Sequence, residues 1–219
     1  MIPPGISVHA ARILSSGLEE DAIARMVDAS DRAVDEVAAG DMSVIAYACL
    51  ATSLVKGPDW SAEFEHQVED RTGRVAVTAA NAVIEALRSR RIAKVALATP
   101  YPDRLNRLAK PFFECAGIDI VSLENITVQN SLEVCRLPPS AAYRLARKAD
   151  QDNANAVCIL ATDFRTIDVL DALERDLGKP VFSTNQALFW RALGLAGVQT
   201  GVSGFGSLLS APHPVSSAN

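Results

Sequence analysis

Short apolar runs alternate with amphipathic helical patterns along nearly the whole chain, and this alternation constrains the fold more than any other feature. Continuous apolar runs of this length are typical of strands buried on both faces. We predict strands at 43–48, 75–78, 94–99, 118–123, 156–161 and 180–183, and helices at about 17–40, 60–71, 79–90, 102–116, 139–150, 166–177 and 186–194. Such alternation predicts βαβ units and an α/β fold with parallel sheets.

Length and charge exclude several classes of protein. The 219 residues suit one globular domain or two half-sized lobes, and a hydrophobic fraction of 49% is ordinary for a folded chain. A net charge of −5 provides no general attraction to nucleic acid or to an anionic membrane. No apolar run approaches the roughly 20 residues that span a bilayer, and the first residues lack the pattern of a signal peptide. We therefore predict a cytoplasmic protein with neither nucleic acid nor membrane as a partner.

The cysteines and histidines predict no metal site. The four cysteines, Cys49, Cys115, Cys135 and Cys158, are too widely spaced for a disulfide framework or a CxxC zinc site. The three histidines are isolated, without the HxH, HxxxH or HExxH spacing that collects a metal ion.

Two pairs of segments resemble one another. The run 44–49, followed by Thr52 and Ser53, resembles 157–161, which is followed by Thr162; further along, 77–82 resembles 182–187. An internal duplication of this kind predicts two similar lobes. Because α/β sheets bind ligands at the carboxyl ends of their strands, Cys49 and the Ala161-Thr162 pair are predicted to lie on opposite walls of one cleft.

Cys49 follows a predicted buried strand and precedes the hydroxyl residues Thr52 and Ser53. Backbone amides in the turn after the strand would favour the thiolate and make this cysteine nucleophilic. The alternative is an inert core cysteine, and these residues alone leave both interpretations open.

A set of motifs, taken in order, resembles the aspartate/glutamate racemase superfamily, and within it the branch of maleate cis-trans isomerases and arylmalonate decarboxylases. The motifs are Tyr-Ala-Cys-Leu at 47–50, Ala-Thr-Pro-Tyr at 98–101, Asn-Ser-Leu-Glu-Val at 130–134, Ala-Thr-Asp-Phe-Arg-Thr at 161–166, Gly-Lys-Pro-Val at 178–181, Asn-Gln-Ala at 185–187 and Gly-Phe-Gly-Ser-Leu-Leu at 204–209.

The resemblance implies an enzyme without cofactor, built from two pseudo-symmetric Rossmann-like lobes that enclose the active site between them. Lobe 1 would comprise residues 1–93 and 186–219, without the family's first strand, and lobe 2 residues 94–185. In most members one cysteine lies on each side of a small carboxylate substrate, and Cys49 occupies the first of these positions. The resemblance also assigns substrate contacts to Tyr101 and to Asn130 or Ser131.

The chain departs from the family pattern at the second cysteine. Matched to the commoner Cys-Thr-Asn-Phe/Leu-Arg-Thr form, position 161 would be cysteine but is Ala161; a shift by one residue places Thr162 there instead. Cys158 lies inside the predicted strand and is interpreted as a core residue. Since alanine cannot transfer a proton, racemisation by two thiols is disfavoured. Whether Ala161 is natural or an engineered replacement stays open.

The expected function is isomerisation of maleate or a similar small enoate dicarboxylate through thiolate addition by Cys49. Amide donors around Thr52, Ser53 and Thr162, with the Tyr101 hydroxyl, would stabilise the charge that develops on the substrate. Three alternatives remain: arylmalonate-type decarboxylation, racemase-like chemistry, and a catalytically impaired carboxylate-binding paralogue. A homo-oligomer is expected, because relatives associate.

Overall fold

The computed structural model describes residues 1–14 and 17–211. The strands are β1 (Val44–Tyr47), β2 (Val75–Thr78), β3 (Lys94–Thr99), β4 (Asp119–Asn125), β5 (Ala156–Ile159) and β6 (Val181–Ser183). The α-helices are α1 (Glu20–Asp28), α2 (Ser30–Ala38), α3 (Leu50–Lys56), α4 (Pro58–Thr72), α5 (Ala79–Ser89), α6 (Asp103–Cys115), α7 (Ser131–Arg136), α8 (Pro139–Ala149), α9 (Leu170–Leu177), α10 (Thr184–Leu195) and α11 (Ser207–Ser210).

The described strands form two parallel sheets. One contains β1 and β2, and the other has the order β4-β3-β5-β6. The predicted α/β fold with parallel sheets is confirmed, because every strand pair of both sheets is parallel. Among the described strands, the first sheet has two strands and the second has four, in which β5 lies between β3 and β6.

Helices cover the larger sheet, so its central strands are apolar along their length. All four residues of β5 are buried, and only Lys94 of β3 is exposed. The largest core cluster includes residues from β3, β5 and β6 and the apolar faces of α5, α6, α8 and α10. A smaller cluster around β1 and β2 contains Val34, Ile45, Tyr47, Phe64, Val68 and Ala76.

The helix predicted at 17–40 is wrong as one element. It is divided into α1 and α2 at Ala29, whose ψ of −5° departs from regular helical geometry. The short helices α3 and α7 were not predicted, since seven and six residues are too few to display a helical period. Of these, α3 begins directly after Cys49.

The internal similarity has a structural counterpart. Cys49 follows β1 by two residues, and Ala161 follows β5 by the same number. Downstream, Thr78 and Ser183 end β2 and β6 and cap the helices that follow, each accepting a hydrogen bond from the amide three residues on. These two caps make Asn81 equivalent to Gln186, in agreement with the similarity of 77–82 to 182–187.

The predicted division into lobes remains a prediction. β1 and β2 lie within 1–93, β3 to β6 lie within 94–185, and residues 212–219 of the first lobe are outside the described residues. Helices α5 and α10, which begin after β2 and β6, pack against each other. An ion pair between Glu85 and Arg191 links them.

Candidate active site at the ends of β1, β3 and β5

Cys49 lies directly before α3, where its sulfur meets several hydrogen-bond donors. Its backbone is extended, with φ −144° and ψ 100°. The Thr52 hydroxyl donates to Cys49 Sγ over 3.1 Å, and the amides of Ala51 and Thr52 also interact favourably with the thiolate. The residue as a whole is partly exposed. The end of β1, the start of α3 and the Thr52 hydroxyl thus all lie next to the Cys49 sulfur.

Burial raises the pKa of the Cys49 thiol, and this effect exceeds the opposing hydrogen bonds from Thr52 and the backbone amides. The negative charge of Asp163 raises that pKa further. The thiol is therefore mostly protonated at neutral pH, and a nucleophilic reaction requires removal of its proton as the new bond forms.

A hydroxyl chain extends from the sulfur into the smaller core. The Tyr47 hydroxyl is hydrogen-bonded to Thr52 Oγ1 over 3.2 Å, and the Tyr47 ring packs against Trp60 and Phe64, with centroid distances of 5.5 and 4.7 Å. Burial raises the pKa of Tyr47, so the phenol keeps its proton. The Thr52 hydroxyl is therefore oriented by Tyr47, whose ring is held by Trp60 and Phe64.

Contact of Thr52 and Ser53 with substrate stays a prediction, and their side chains are engaged within the protein. Both residues are completely buried. The Thr52 hydroxyl is engaged by Cys49 and Tyr47, and the Ser53 hydroxyl accepts a hydrogen bond of 2.8 Å from Ser61 in α4. Thr52 thus acts on the sulfur, and Ser53 holds α3 to α4, because successive residues of a helix point in different directions.

Tyr101 follows β3 and is only 4% exposed. Its carbonyl accepts hydrogen bonds from the side-chain amides of Asn106 and Asn125, which fix the loop. Burial, together with the charges of Cys49 and Asp163, raises the pKa of Tyr101 well above its usual value. Tyr101 therefore lies near the sulfur and keeps a proton that it can donate in a hydrogen bond.

Thr162 connects the ends of β5 and β1. Its hydroxyl donates to the carbonyl of Ala48 over 3.0 Å, and its own carbonyl accepts from the Asn185 side chain over 2.8 Å. Ala161, 4% exposed, has a φ of +86°, a conformation uncommon for a residue with a Cβ. The predicted neighbours Cys49 and Ala161-Thr162 are thus brought together.

Asp163 is the residue of this site that the sequence analysis missed. Its charge interacts with both Cys49 and Tyr101, which places the carboxylate in the same region. The available signal was its place directly after Thr162 in the quoted motif, where an ionisable side chain follows a residue already assigned to the cleft.

Asn130 and Ser131 lie at the start of α7. The Asn130 side chain accepts from the Glu133 amide over 3.0 Å and donates to the Glu133 carboxylate over 2.8 Å. The preceding segment is attached to the Tyr101 loop, because the Val128 amide donates to the Pro100 carbonyl over 2.8 Å. Asn130 therefore caps a helix near the site, and its contact with substrate stays a prediction, as does that of Ser131.

The other thiols have different surroundings. Cys158 is buried within β5, and burial raises its pKa to about 12. Cys115 and Cys135 are exposed.

Within 1–14 and 17–211, no cluster of His, Cys, Asp and Glu side chains has the arrangement needed to bind a metal ion. In the same part of the chain no helix is long and apolar enough to cross a membrane. Two surface grooves of about 270 and 420 Å³ lie beside α2 and do not include Cys49.

Comparison with known proteins gives consistent matches over almost the whole chain. The sequence pattern of the arylmalonate decarboxylase family, Amdase, matches residues 1–209. Maleate isomerase from Geobacillus stearothermophilus is 25% identical over 211 residues, covering 94% of this chain and 84% of the relative. Arylmalonate decarboxylase from Bordetella bronchiseptica is 25% identical over 157 residues, covering 71% and 65%.

Among solved structures, a cysteine-to-serine mutant of the Nocardia farcinica maleate cis-trans isomerase with a covalently bound succinylcysteine intermediate superposes with a TM-score of 0.90. It is 28% identical, and the match covers 95% of this chain and 88% of that one. These matches confirm the resemblance that the motifs indicated.

Proposed function

Because this chain belongs to the arylmalonate decarboxylase family, we propose that it is a cofactor-independent cis-trans isomerase of maleate or a similar small enoate dicarboxylate. Cys49 is the proposed nucleophile. The observation that carries the proposal is the hydrogen bond from Thr52 to Cys49 Sγ at the start of α3, with Tyr101 and Thr162 beside it. Maleate isomerases at 25 to 28% identity, and the covalent succinylcysteine of the Nocardia farcinica structure, support this chemistry.

The proposed reaction begins with addition of the Cys49 sulfur to one alkene carbon. A thiolate is a soft, strong nucleophile, and the conjugated carboxylates make that carbon electrophilic. The electron pair of the double bond moves onto the neighbouring carbon and its carboxylate. Rotation about the new single bond, followed by loss of the thiolate, gives the trans product.

Charge develops on the substrate carboxylate during addition and requires hydrogen-bond donors. The Tyr101 hydroxyl is suited to this role because its raised pKa keeps it protonated. The backbone amides at the start of α3 are further candidates, and one such donor is typically worth about 3 kcal/mol in the transition state. The same donors would hold the carboxylates of a bound dicarboxylate.

Replacing Cys49 by serine tests the proposal. We expect Cys49→Ser to abolish conversion of maleate to fumarate, measured by chromatography of the two acids, because a hydroxyl is far less nucleophilic at neutral pH. Cys115→Ser is the matched control, since Cys115 is exposed in α6 and plays no part in the mechanism. Full activity of Cys49→Ser would refute the assignment.

A second candidate is decarboxylation of a substituted malonate, which the family's name and the Bordetella relative favour. The residues after Cys49 argue against it, because Leu50 and Ala51 are buried and carry no hydroxyl, whereas the resemblance associates decarboxylases with hydroxyl residues there. Carbon dioxide release from phenylmalonate, compared with fumarate formation from maleate, separates the two reactions. Tight binding of a dicarboxylate without turnover would instead indicate the impaired paralogue.

Two accompanying expectations remain predictions. We expect a homo-oligomer, which size-exclusion chromatography with light scattering would reveal. The cytoplasmic location predicted from the sequence is likewise untested, and fractionation of producing cells would check it.

A further inference from the structure

We propose that Asp163 is a catalytic acid–base of the reaction, taking the proton from Cys49 and delivering it to the substrate carbon beside the one that the sulfur attacks. The inference rests on the proposed function and adds a catalytic residue to it. It assigns proton transfer to a carboxyl group on the β5 side of the site, where Ala161 itself provides no titratable group.

The backbone places Asp163 close to the nucleophile. Asp163 directly follows Thr162, whose hydroxyl donates to the carbonyl of Ala48, the residue before Cys49. The Asn185 side chain holds the Thr162 carbonyl from the other side. Asp163 therefore belongs to a turn that is attached both to α10 and to the end of β1.

The Asp163 carboxylate is not engaged in a structural contact. Within the described part of the chain it makes no hydrogen bond or ion pair, although the residue is partly buried. Glu65 is the contrasting case. Its carboxylate accepts hydrogen bonds from the amide and hydroxyl of Thr78 and from the Asn81 side chain, so it has a structural role. A carboxylate without a partner beside a candidate nucleophilic thiol favours a functional explanation.

Cys49, Tyr101 and Asp163 share one electrostatic environment. The Asp163 charge acts on both other groups and disfavours the Cys49 thiolate. A nucleophilic sulfur has to lose its proton to a base, and Asp163 is the carboxylate in this environment.

In the proposed reaction, Asp163 carries one proton from the sulfur to the substrate carbon and later returns one to the sulfur. The Asp163 carboxylate removes the thiol proton as the C–S bond forms and the alkene electron pair moves to the neighbouring carbon. The resulting carboxylic acid gives that proton to the carbon, which yields a succinyl thioether. After rotation, Asp163 removes a proton from the same carbon, the double bond re-forms, the C–S bond breaks, and Asp163 returns the proton to sulfur.

The chemistry of the other residues leaves this task to Asp163. A succinyl adduct, as in the Nocardia farcinica mutant, has gained a proton on carbon. Ala161 carries no proton donor, Thr162 does not titrate in the accessible range, and the raised pKa of Tyr101 makes it a poor partner for the return step.

Asp163→Asn tests the inference, with Asp168→Asn as the matched control, because Asp168 is exposed in the following single turn of 3-10 helix. We expect Asp163→Asn to lower kcat for maleate about 10²- to 10⁴-fold, the usual contribution of general acid–base catalysis. In D₂O, fumarate formed by the unmodified protein should carry deuterium. Asp168→Asn should match the unmodified protein in both measurements.

A second measurement does not use maleate. Alkylation of Cys49 by iodoacetamide, followed by peptide mass spectrometry, gives the thiol pKa. Asp163→Asn should lower this pKa because the opposing negative charge is gone. A purely structural role of Asp163 would not shift the alkylation profile in this direction.

The outcomes separate the inference from the proposed function. If Asp163→Asn isomerises maleate at the full rate while Cys49→Ser is inactive, the inference fails and the proposed function stands. An unmodified protein that leaves maleate unchanged overturns both. A large loss of kcat together with a lowered thiol pKa supports Asp163 as the acid–base.

Discussion

The reactivity of Cys49 is set by a competition between neighbouring groups. Burial and the Asp163 charge disfavour the thiolate, while the Thr52 hydroxyl and the amides of Ala51 and Thr52 favour it. Tyr47 holds the Thr52 hydroxyl in place. The balance leaves the thiol mostly protonated at neutral pH.

Thr52→Val should raise the pKa of Cys49 and slow its alkylation at a fixed pH, because the hydroxyl donor to the sulfur is lost. Hydrogen bonds to charged groups contribute about 1.5–3 kcal/mol, so the loss of this one donor is large enough to measure. Iodoacetamide labelling across pH, measured on the Cys49 peptide, checks this. Thr52→Ser retains the donor and should behave like the unmodified protein; an unchanged profile in Thr52→Val would show that the hydrogen bond does not act on the thiolate.

At the level of elements, α10 is held at its start by a network that includes a glycine turn. Ser183 and Gln186 form a capping box, and the buried Gln186 side chain also donates to the Phe205 carbonyl over 2.7 Å. Gly206 has a φ of +85°, and a Cβ there would lie 2.5 Å from Gln186 Nε2. The absence of a side chain at position 206 therefore permits the helix cap.

Gly206→Ala should destabilise the fold more than Gly204→Ala. Both positions have positive φ, which costs a non-glycine residue about 1 kcal/mol or more. Only position 206 adds a clash, since a Cβ at 204 meets nothing within 4 Å. We expect an additional loss of about 1–2 kcal/mol, or several degrees in Tm, for Gly206→Ala in thermal unfolding. Equal Tm values for the two variants would contradict this account.

At the level of the whole molecule, α5 and α10 connect the small sheet to the large one. Glu85 and Arg191 pair across this contact, with side chains 40% and 18% exposed. Burial raises the pKa of Glu85, and the neighbouring Arg191 opposes this effect. The pair therefore stabilises the protein chiefly because the Arg191 charge offsets the cost of partly burying the Glu85 carboxylate.

Arg191→Met should destabilise the protein in a pH-dependent manner. Without Arg191, the pKa of Glu85 in the folded state rises further above its value in the unfolded state. The variant therefore keeps its stability at pH values below the unfolded-state pKa and loses it as the pH rises through the folded-state pKa. We expect a small effect near pH 4 and a loss of about 1–2 kcal/mol at pH 7, less than for a fully buried pair because Glu85 is exposed enough to be screened. Denaturant unfolding at both pH values measures it.

The double variant Glu85→Gln/Arg191→Met is the control for that experiment. It removes the uncompensated carboxylate, so it should be more stable at pH 7 than Arg191→Met alone and should show no dependence on Glu85 ionisation. A loss that is equal at pH 4 and pH 7 in Arg191→Met would indicate lost packing instead.

The sequence by itself determined the parallel α/β fold, because strands buried on both faces are locally apolar. The internal similarity of 44–49 and 157–161 also predicted that Cys49 and Ala161-Thr162 lie close together, because strand ends in such folds meet. Short-range signals of this kind depend on neighbouring residues. The same signals failed at the helix predicted for 17–40, where a break at Ala29 leaves the apolar period almost intact.

Only the tertiary structure decided which side chains reach the sulfur. Thr52 and Ser53 are adjacent in sequence, yet helix geometry directs Thr52 to Cys49 and Ser53 to Ser61. Asp163 acts on Cys49 from a distant part of the chain, because a hydrogen bond between Thr162 and Ala48 joins two strand ends. Burial, charge and contact across such distances are properties of the packed molecule, so no local pattern encodes them.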